Sequence, residues 1–176
     1  MRILFAQMLI ITALLFRPAF CIADAGYPGW ETEFSSGYNL QYGLDGKKDG
    51  MFVSAGVGWR FWDSFHLKAQ FEYMLSDPSA DQKYHMLAPS AGIEYQLDFT
   101  PFLPYFGGGL GPYSFKASKA DSWKTLLGLQ YYAGFSYFII PQLGMGVVFE
   151  KHHVLTGNDV PSGYFNAGIR LIYYFL

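Results

Sequence analysis

Two adjacent histidines, His152 and His153, follow Glu150 in the C-terminal part of the chain. Imidazole and carboxylate groups are ligands that Zn²⁺ takes in proteins, and His85 or Asp159 would add to such a set. In an extended strand, however, neighbouring residues point to opposite faces, so His152 and His153 would not share one ion. We therefore assign no metal site and no cofactor.

The N-terminal segment has the layout of a secretory signal peptide. Arg2 precedes an apolar stretch over residues 3–16, which is followed by the small residues 23–25. A positive start, a short apolar run and small residues at a cleavage site are the features of such signals. We place the signal peptide at residues 1–25 and the mature domain at residues 26–176.

The composition excludes several classes of protein. Hydrophobic residues make up 51% of the chain and charged residues only 15%, and the formal net charge is -2. Without a basic excess, nucleic acid is excluded as a partner. Beyond residue 25 no apolar run approaches the ~18 residues of a membrane-spanning helix. The only cysteine, Cys21, leaves with the signal peptide, so no thiol chemistry remains.

Apolar and polar residues alternate throughout the mature chain. Between residues 65 and 75, for example, large apolar side chains alternate with His66, Lys68, Gln70 and Glu72. This period of two is typical of a strand whose faces meet different environments. The pattern predicts eight strands, over residues 30–44, 51–61, 65–75, 84–97, 102–116, 127–137, 143–152 and 165–175. In the fifth, prolines and the glycine run 107–109 leave the face assignment open.

These strands of about 11 to 15 residues exceed the 5 or 6 usual in soluble proteins and suit tilted membrane strands. Longer and tight connections alternate, at residues 45–50, 63–64, 76–83, 98–100, 117–124, 140–141 and 154–162. Outer-membrane barrels have this alternation, with the longer loops outside. The sequence therefore predicts an all-β, eight-stranded, antiparallel, up-and-down transmembrane barrel with four modest outer loops.

A soluble ligand-carrying barrel is the alternative, because it also alternates apolar and polar residues. Its apolar set would face inward, and its outer face would carry many charges. Here the large residues form long stripes, while the opposite face is rich in glycine and serine as well as charge. This pattern favours the membrane barrel.

If the polar faces point inward, charged residues fill a lumen that is narrow in an eight-stranded barrel. Buried charges must pair, since an unpaired one costs several kcal/mol. We predict a hydrogen-bonded plug that closes the barrel, with a gated ion path as the alternative. The predicted lumen network consists of Glu31, Glu33, Arg60, His66, Lys68, Glu72, Glu94, Glu150, His152 and Arg170.

Aromatic residues near the strand ends are predicted to anchor the barrel at the membrane interfaces, as aromatic belts do. This set comprises Trp30, Tyr42, Trp59, Phe61, Trp62, Tyr73, Tyr84, Tyr95, Trp123, Tyr137, Tyr164 and Tyr173.

The segments 103–111, 133–138 and 143–147 resemble the strand-turn-strand sequence patterns of small eight-stranded outer-membrane β-barrel proteins. These proteins form the OmpA/OmpX-like and porin-like outer-membrane β-barrel domain group. The C-terminal strand resembles the signal by which the barrel-assembly machinery recognises its clients. The signal positions are Asn166, Gly168, Leu171, Tyr173 and Phe175, although the chain ends on Leu176 instead of an aromatic residue.

The segment 150–157 is similar in placement to the His-x-Ser-Asn segment of outer-membrane lipid A deacylases. That resemblance implies a histidine base acting on a serine nucleophile. Here Val154 and Leu155 stand two residues after the histidines, so the His-x-Ser motif is missing. The candidates for such a reaction are Glu150, His152, His153 and Thr156.

The interpretation that we favour is a non-enzymatic outer-membrane barrel with a structural or surface-interaction role. The resemblance implies outer-membrane lipid, lipopolysaccharide and the barrel-assembly machinery as partners, with host or surface ligands at the loops. The alternative is a lipid A acyl hydrolase acting at the outer leaflet.

Overall fold

The computed structural model describes residues 29–42, 48–79, 82–97, 102–117, 122–155 and 162–175. It forms one closed barrel of eight antiparallel strands in chain order, with β1 paired to β8. The predicted signal peptide and Thr156 lie outside the described residues. The strands are β1 (Trp30–Tyr42), β2 (Lys48–Trp62), β3 (Phe65–Ser79), β4 (Gln82–Gln96), β5 (Phe102–Ala117), β6 (Lys124–Ile140), β7 (Leu143–Val154) and β8 (Gly163–Phe175).

All eight predicted strands are present, but the connection predicted at residues 76–83 is wrong. There β3 continues to Ser79 and β4 begins at Gln82, with an irregular register between Ser76 and Ser79. These residues are mostly polar, so the hydrophobic alternation ends before the backbone pairing does. Polar strand ends beyond an apolar belt still form ladder hydrogen bonds, and the sequence pattern does not report them.

The two ends of the barrel differ. Tight turns at residues 63–64 and 141–142 mark one end, which we call the turn end. The opposite end, where β1 joins β2 and β7 joins β8, is the loop end. Asp63, in the first tight turn, has a positive φ of 20°.

The strands are strongly staggered. Following the paired residues once around the barrel from Glu31 leads to Gln41, ten residues nearer to the loop end on the same strand. With eight strands this stagger corresponds to a tilt of about 40°. The tilt brings residues from different positions along β1, β3, β4 and β8 to one height inside the barrel.

Prolines and glycines shape the contact between β4 and β5. Residue pairing stops after Leu87 and resumes at Ala91, because Pro89 has no N–H to donate. A Cβ on Gly111 would lie 1.9 Å from the Pro89 carbonyl oxygen, so only glycine allows this approach. The register is the same on both sides of the gap, and the barrel stays closed.

The outer wall of the barrel is apolar. Exposed side chains on it include Val57, Leu67, Phe71, Ile93, Leu110, Leu127, Phe135, Phe149, Ile169 and Leu171. Towards the turn end, aromatic rings contact each other from strand to strand, as in Trp30–Trp59, Phe65–Tyr95 and Tyr95–Phe106. Water would disfavour such a wall, whereas hydrocarbon matches it.

No helix in the described part of the chain is long and apolar enough to cross a bilayer.

Candidate functional site

The predicted lumen residues point toward the barrel interior. Every strand contributes the side chains of alternate positions to this interior. All of them are buried except Arg60, which is partly exposed near the turn end. They do not form one network. From the turn end to the loop end, the interior consists of an apolar floor, a charged layer, a polar layer and an apolar cap.

The charged layer contains Glu31, Glu33, Lys68, Glu94 and Arg170. Lys68 reaches from β3 to two carboxylates of β1, with its Nζ 2.6 Å from Glu31 Oε1 and 2.8 Å from Glu33 Oε2. Its Nζ also lies 4.0 Å from Glu94 Oε2. The ammonium group of Lys68 thus lies between three carboxylates, two from β1 and one from β4.

Arg170 completes this layer from β8. Its Nη2 lies 2.6 Å from Glu33 Oε2 and 3.0 Å from Glu94 Oε1, and its guanidinium carbon is 4.0 Å from the centre of the Tyr105 ring. The Tyr105 hydroxyl donates in turn to the Val147 carbonyl at 2.9 Å. Planar stacking and paired hydrogen bonds are the geometry that suits arginine better than lysine.

Charge in this layer is close to balanced. Three carboxylates face Lys68 and Arg170, and the Nδ1 of His66 lies 3.1 Å from Glu31 Oε2. The layer therefore satisfies the rule that buried charges require partners.

The polar layer lies nearer to the loop end and contains Gln70, Glu72, Glu150, His152 and Asn166. Two carboxylates meet here, and His152 Nε2 is 3.4 Å from Glu72 Oε1 and 3.6 Å from Glu150 Oε2. The Nδ2 of Asn166 contacts these same three atoms. The Tyr113 hydroxyl lies 2.8 Å from His152 Nδ1.

Amide side chains hold the outer oxygens of both carboxylates. Gln70 Nε2 donates to Glu72 Oε2 at 3.2 Å and to Glu150 Oε1 at 3.3 Å. Gln130 donates to the Gln70 oxygen at 3.4 Å and accepts from the Ser90 hydroxyl at 2.8 Å. Each amide thus has a defined orientation, which fixes where the carboxylates lie.

An apolar cap covers the polar layer on the loop side. It consists of Phe52, Met74, Met86, Phe115, Val154 and Tyr164, which belong to one buried cluster. The Phe115 and Tyr164 rings stack at 6.0 Å. Tyr164 was predicted to anchor the barrel in the membrane interface, and this prediction is wrong. It alternates with the outward Phe165 and is only 2% exposed, inside the lumen.

The apolar floor closes the turn end with Leu103, Ile172, Tyr174 and the partly buried Phe138. Sequence reasoning did not find the floor or the cap, because it described the interior as polar throughout. The inward glycines of β5 would have resolved the open face assignment. Gly107 and Gly111 occupy the same face as Tyr105 and Tyr113, and every other strand except β3, which has no glycine, also places glycine inward.

Residues of the predicted assembly signal divide between the two faces of β8. Asn166 is fully buried in the polar layer, whereas Leu171, Tyr173 and Phe175 are exposed on the outer wall. A Cβ on Gly168 would lie 2.3 Å from the Ser36 carbonyl oxygen, so glycine is needed where β8 meets β1. Asn166 and Gly168 therefore have structural roles in the folded barrel.

The candidate catalytic residues do not form a triad in the described residues. His152 faces the lumen and His153 the outer wall. The described hydrogen-bond partners of His152 are the Tyr113 phenol and the Asn166 amide, not a serine or threonine hydroxyl. On the outer face, Lys151 and Leu155 stand two residues either side of His153, and neither carries a hydroxyl.

No family model matches the sequence. No curated protein matches it either.

Solved structures do resemble the fold. Neisserial surface protein A has a TM-score of 0.75 at 16% identity, with 83% of this chain and 97% of that chain covered. The N-terminal β-barrel domain of Pseudomonas aeruginosa OprF has a TM-score of 0.56 at 16% identity, covering 84% of this chain and 99% of that one. Ail of Yersinia pestis, in complex with the heparin analogue sucrose octasulfate, has a TM-score of 0.51 at 19% identity, with 84% and 100% covered.

At these identities the likeness concerns the fold. A closed barrel of eight antiparallel strands, an apolar outer wall and a lumen filled by side chains all agree with it. The chain has the fold of the small eight-stranded transmembrane β-barrels.

Proposed function

We propose that this protein is an integral outer-membrane barrel that conducts no solutes and displays its loop end to the exterior in a structural or surface-interaction role. The observation that carries the proposal is the combination of an apolar outer wall with an interior filled from floor to cap. A wall of this kind needs lipid around it. An interior packed with large side chains leaves no space for a wide channel.

The proposed orientation follows from the connections. Tight turns face the periplasm in barrels of this type, and the longer loops face outward. Outer-membrane lipid and lipopolysaccharide would then surround the wall, after export by the signal peptide and insertion by the barrel-assembly machinery. Ail, solved in complex with a heparin analogue, supports the idea that a barrel of this fold can bind a ligand.

Cysteine labelling tests location and orientation together. In a Cys21→Ser background the chain has no other cysteine, so one can be placed at either end. Ser122→Cys lies beside the loop-end start of β6, and Gln142→Cys lies in a tight turn. On intact cells a membrane-impermeant maleimide should label only Ser122→Cys, and Gln142→Cys should react after the outer membrane is permeabilised. Labelling of Gln142→Cys on intact cells would contradict the orientation.

Electrical recording tests the closed lumen. The purified barrel in planar bilayers should give no discrete conductance steps over a range of voltages, because the charged layer, cap and floor occupy the interior. Reproducible unit steps that scale with the amount of inserted protein would refute this part of the proposal and favour the gated ion path.

A further inference from the structure

Three acceptor atoms of the polar layer converge on one point. Glu72 Oε1, Glu150 Oε2 and His152 Nε2 all contact the same atom, the Nδ2 of Asn166. An amide nitrogen has only two hydrogens to donate. When His152 carries its hydrogen on Nδ1, Asn166 therefore leaves one of the three acceptors without a hydrogen. A convergence of carboxylate oxygens and an imidazole nitrogen is the arrangement that surrounds a metal ion in proteins.

The distances fit such an ion. Two ligands about 2.1 Å from a tetrahedral ion lie about 3.4 Å apart. In the structure His152 Nε2 lies 3.4 Å from Glu72 Oε1 and 3.6 Å from Glu150 Oε2. The ligand atoms of the three residues all lie within 4.8 Å of one another. One divalent ion could bind all three with little movement of the side chains.

The negative charges of the polar layer also favour a bound cation. Glu72 and Glu150 are both buried, and among the described residues neither forms an ion pair with a lysine or arginine. The lumen cations Lys68 and Arg170 are engaged in the charged layer with Glu31, Glu33 and Glu94. Two carboxylates that are removed from water need either a shared proton or a counter-charge, and a divalent ion would neutralise both.

A buried hydroxyl beside the cluster gives a separate indication. Ser54 pairs with Glu72 across β2 and β3 and is 2% exposed. Its Oγ has no hydrogen-bond partner among the described residues. A buried hydroxyl without a hydrogen-bond partner is unfavourable. A metal-bound water or the ion itself would provide the missing partner.

Asn166 can supply a fourth ligand. Half a turn of its amide exchanges the nitrogen for Oδ1, which would then face the two carboxylates and the imidazole. The Asn39 amide, which now donates to Asn166 Oδ1, can turn with it, because the Ser76 hydroxyl beside Asn39 either donates or accepts. The turned state is unfavourable without a cation, since four acceptors would then face one another.

Neighbouring residues hold the ligands in place. The Tyr113 hydroxyl can accept a hydrogen bond from His152 Nδ1, which leaves Nε2 free to bind an ion. Gln70 holds the far oxygen of each carboxylate. Such orienting hydrogen bonds to imidazole and carboxylate ligands are usual around metal sites.

We propose that Glu72, Glu150, His152 and Asn166 bind one divalent first-row transition-metal ion, such as Zn²⁺, inside the barrel. The ion would join β3, β7 and β8 at the level of the polar layer. The sequence indicates Glu150 and His152 as candidate metal ligands but pairs them with His153, which points out of the barrel. The other two ligands, Glu72 and Asn166, are distant from them in the chain or lie on another strand.

Metal retention tests the proposal directly. Because cap and floor cover the layer, the ion should be offered as Zn²⁺ or Co²⁺ while the chain folds into detergent or lipid. After removal of loose metal with a chelator, we expect about one ion per chain, and Co²⁺ should give the strong visible absorption of a tetrahedral site. His152→Gln and Glu72→Gln should lower the affinity by more than ~100-fold, and Tyr113→Phe by about tenfold.

His153→Gln is the matched control, since it changes the adjacent histidine on the outer wall and should keep the ion. Heat-modifiable electrophoretic mobility shows that each variant has folded. If the folded wild-type chain retains no ion, or if His152→Gln retains as much as wild type, the proposal is wrong. The two carboxylates would then share a proton, and Zn²⁺ would not change the stability of the barrel.

Discussion

Replacing Lys68 with methionine tests whether the charged layer holds the barrel together. Methionine keeps the length and apolar stem of the side chain but removes the ammonium that contacts Glu31 at 2.6 Å and Glu33 at 2.8 Å. Arg170 and His66 cannot replace it, because they already face Glu33, Glu94 and Glu31. Breaking a buried ion pair on one side costs about 3–5 kcal/mol, and we expect a loss of unfolding free energy in that range.

A double-mutant cycle separates the pairing from the loss of the side chain itself. Glu31→Gln alone should also destabilise the barrel, because it removes the carboxylate that lies 2.6 Å from the Lys68 ammonium. In the Lys68→Met background the same change should recover part of the loss, because it removes an unpaired carboxylate. We expect a coupling energy of about 2–3 kcal/mol between the two sites.

Urea unfolding in lipid vesicles, followed by tryptophan fluorescence, measures these values because four tryptophans report on the fold. Lys151→Met is the matched control. Lys151 is exposed on the outer wall, so its replacement should change the stability by less than ~0.5 kcal/mol. A loss below ~1 kcal/mol in Lys68→Met, or no coupling with Glu31→Gln, would refute the reasoning that these buried charges stabilise one another.

Two further predictions concern backbone packing and enzymatic activity. Gly146→Val should cost ~3 kcal/mol or more or prevent folding, because a Cβ there would lie 1.8 Å from the Phe135 carbonyl oxygen. Gly108→Ala should fold, because its Cβ would come no nearer than 3.2 Å to the Gln130 carbonyl oxygen and 3.6 Å to the Tyr131 ring. Urea unfolding of the two variants checks this difference. Mass spectra of lipid A from cells with and without the protein should be identical, as should those from cells with His153→Ala; loss of one acyl chain that depends on His153 would establish the acyl hydrolase instead.

Much of the fold could be predicted because a barrel wall imposes one simple rule on the sequence. Each strand separates lipid from lumen, so period-two alternation and turn positions were enough to give eight strands and their faces. Where the rule was obscured, in β5 with its prolines and glycines, the faces stayed open. The prediction at residues 76–83 was wrong because backbone pairing extends past the apolar belt.

The arrangement inside the lumen could not be predicted from the same rule. Alternation identifies Glu72, Glu150 and His152 as inward residues, but it does not give their heights. Those heights depend on the stagger of the strands. Because of the stagger, a row of paired residues that starts at Glu31 returns to β1 at Gln41, ten residues further along. The cap was missed for a related reason, since Phe52 and Tyr164 are large apolar residues on the face that was expected to be polar.

Replacing one glutamate with glutamine should have opposite effects on stability in the charged layer and in the polar layer. This difference is the most direct test of the charges in the two layers. Glu94→Gln removes a partner of Arg170 at 3.0 Å and should destabilise the barrel by ~3 kcal/mol with or without metal. Glu72→Gln removes one of two like charges whose oxygens lie within 4.8 Å, so without metal it should stabilise the barrel by about 1–3 kcal/mol.

When Zn²⁺ is present during folding, the effect of Glu72→Gln should reverse, because the variant then loses a ligand. Urea unfolding of both variants, folded either with a chelator or with Zn²⁺, measures all four values under matched conditions. If Glu72→Gln destabilises the metal-free barrel as much as Glu94→Gln does, the like-charge repulsion inferred for the polar layer does not exist. A counter-charge would then be unnecessary, and the physical basis for an ion between β3, β7 and β8 would be lost.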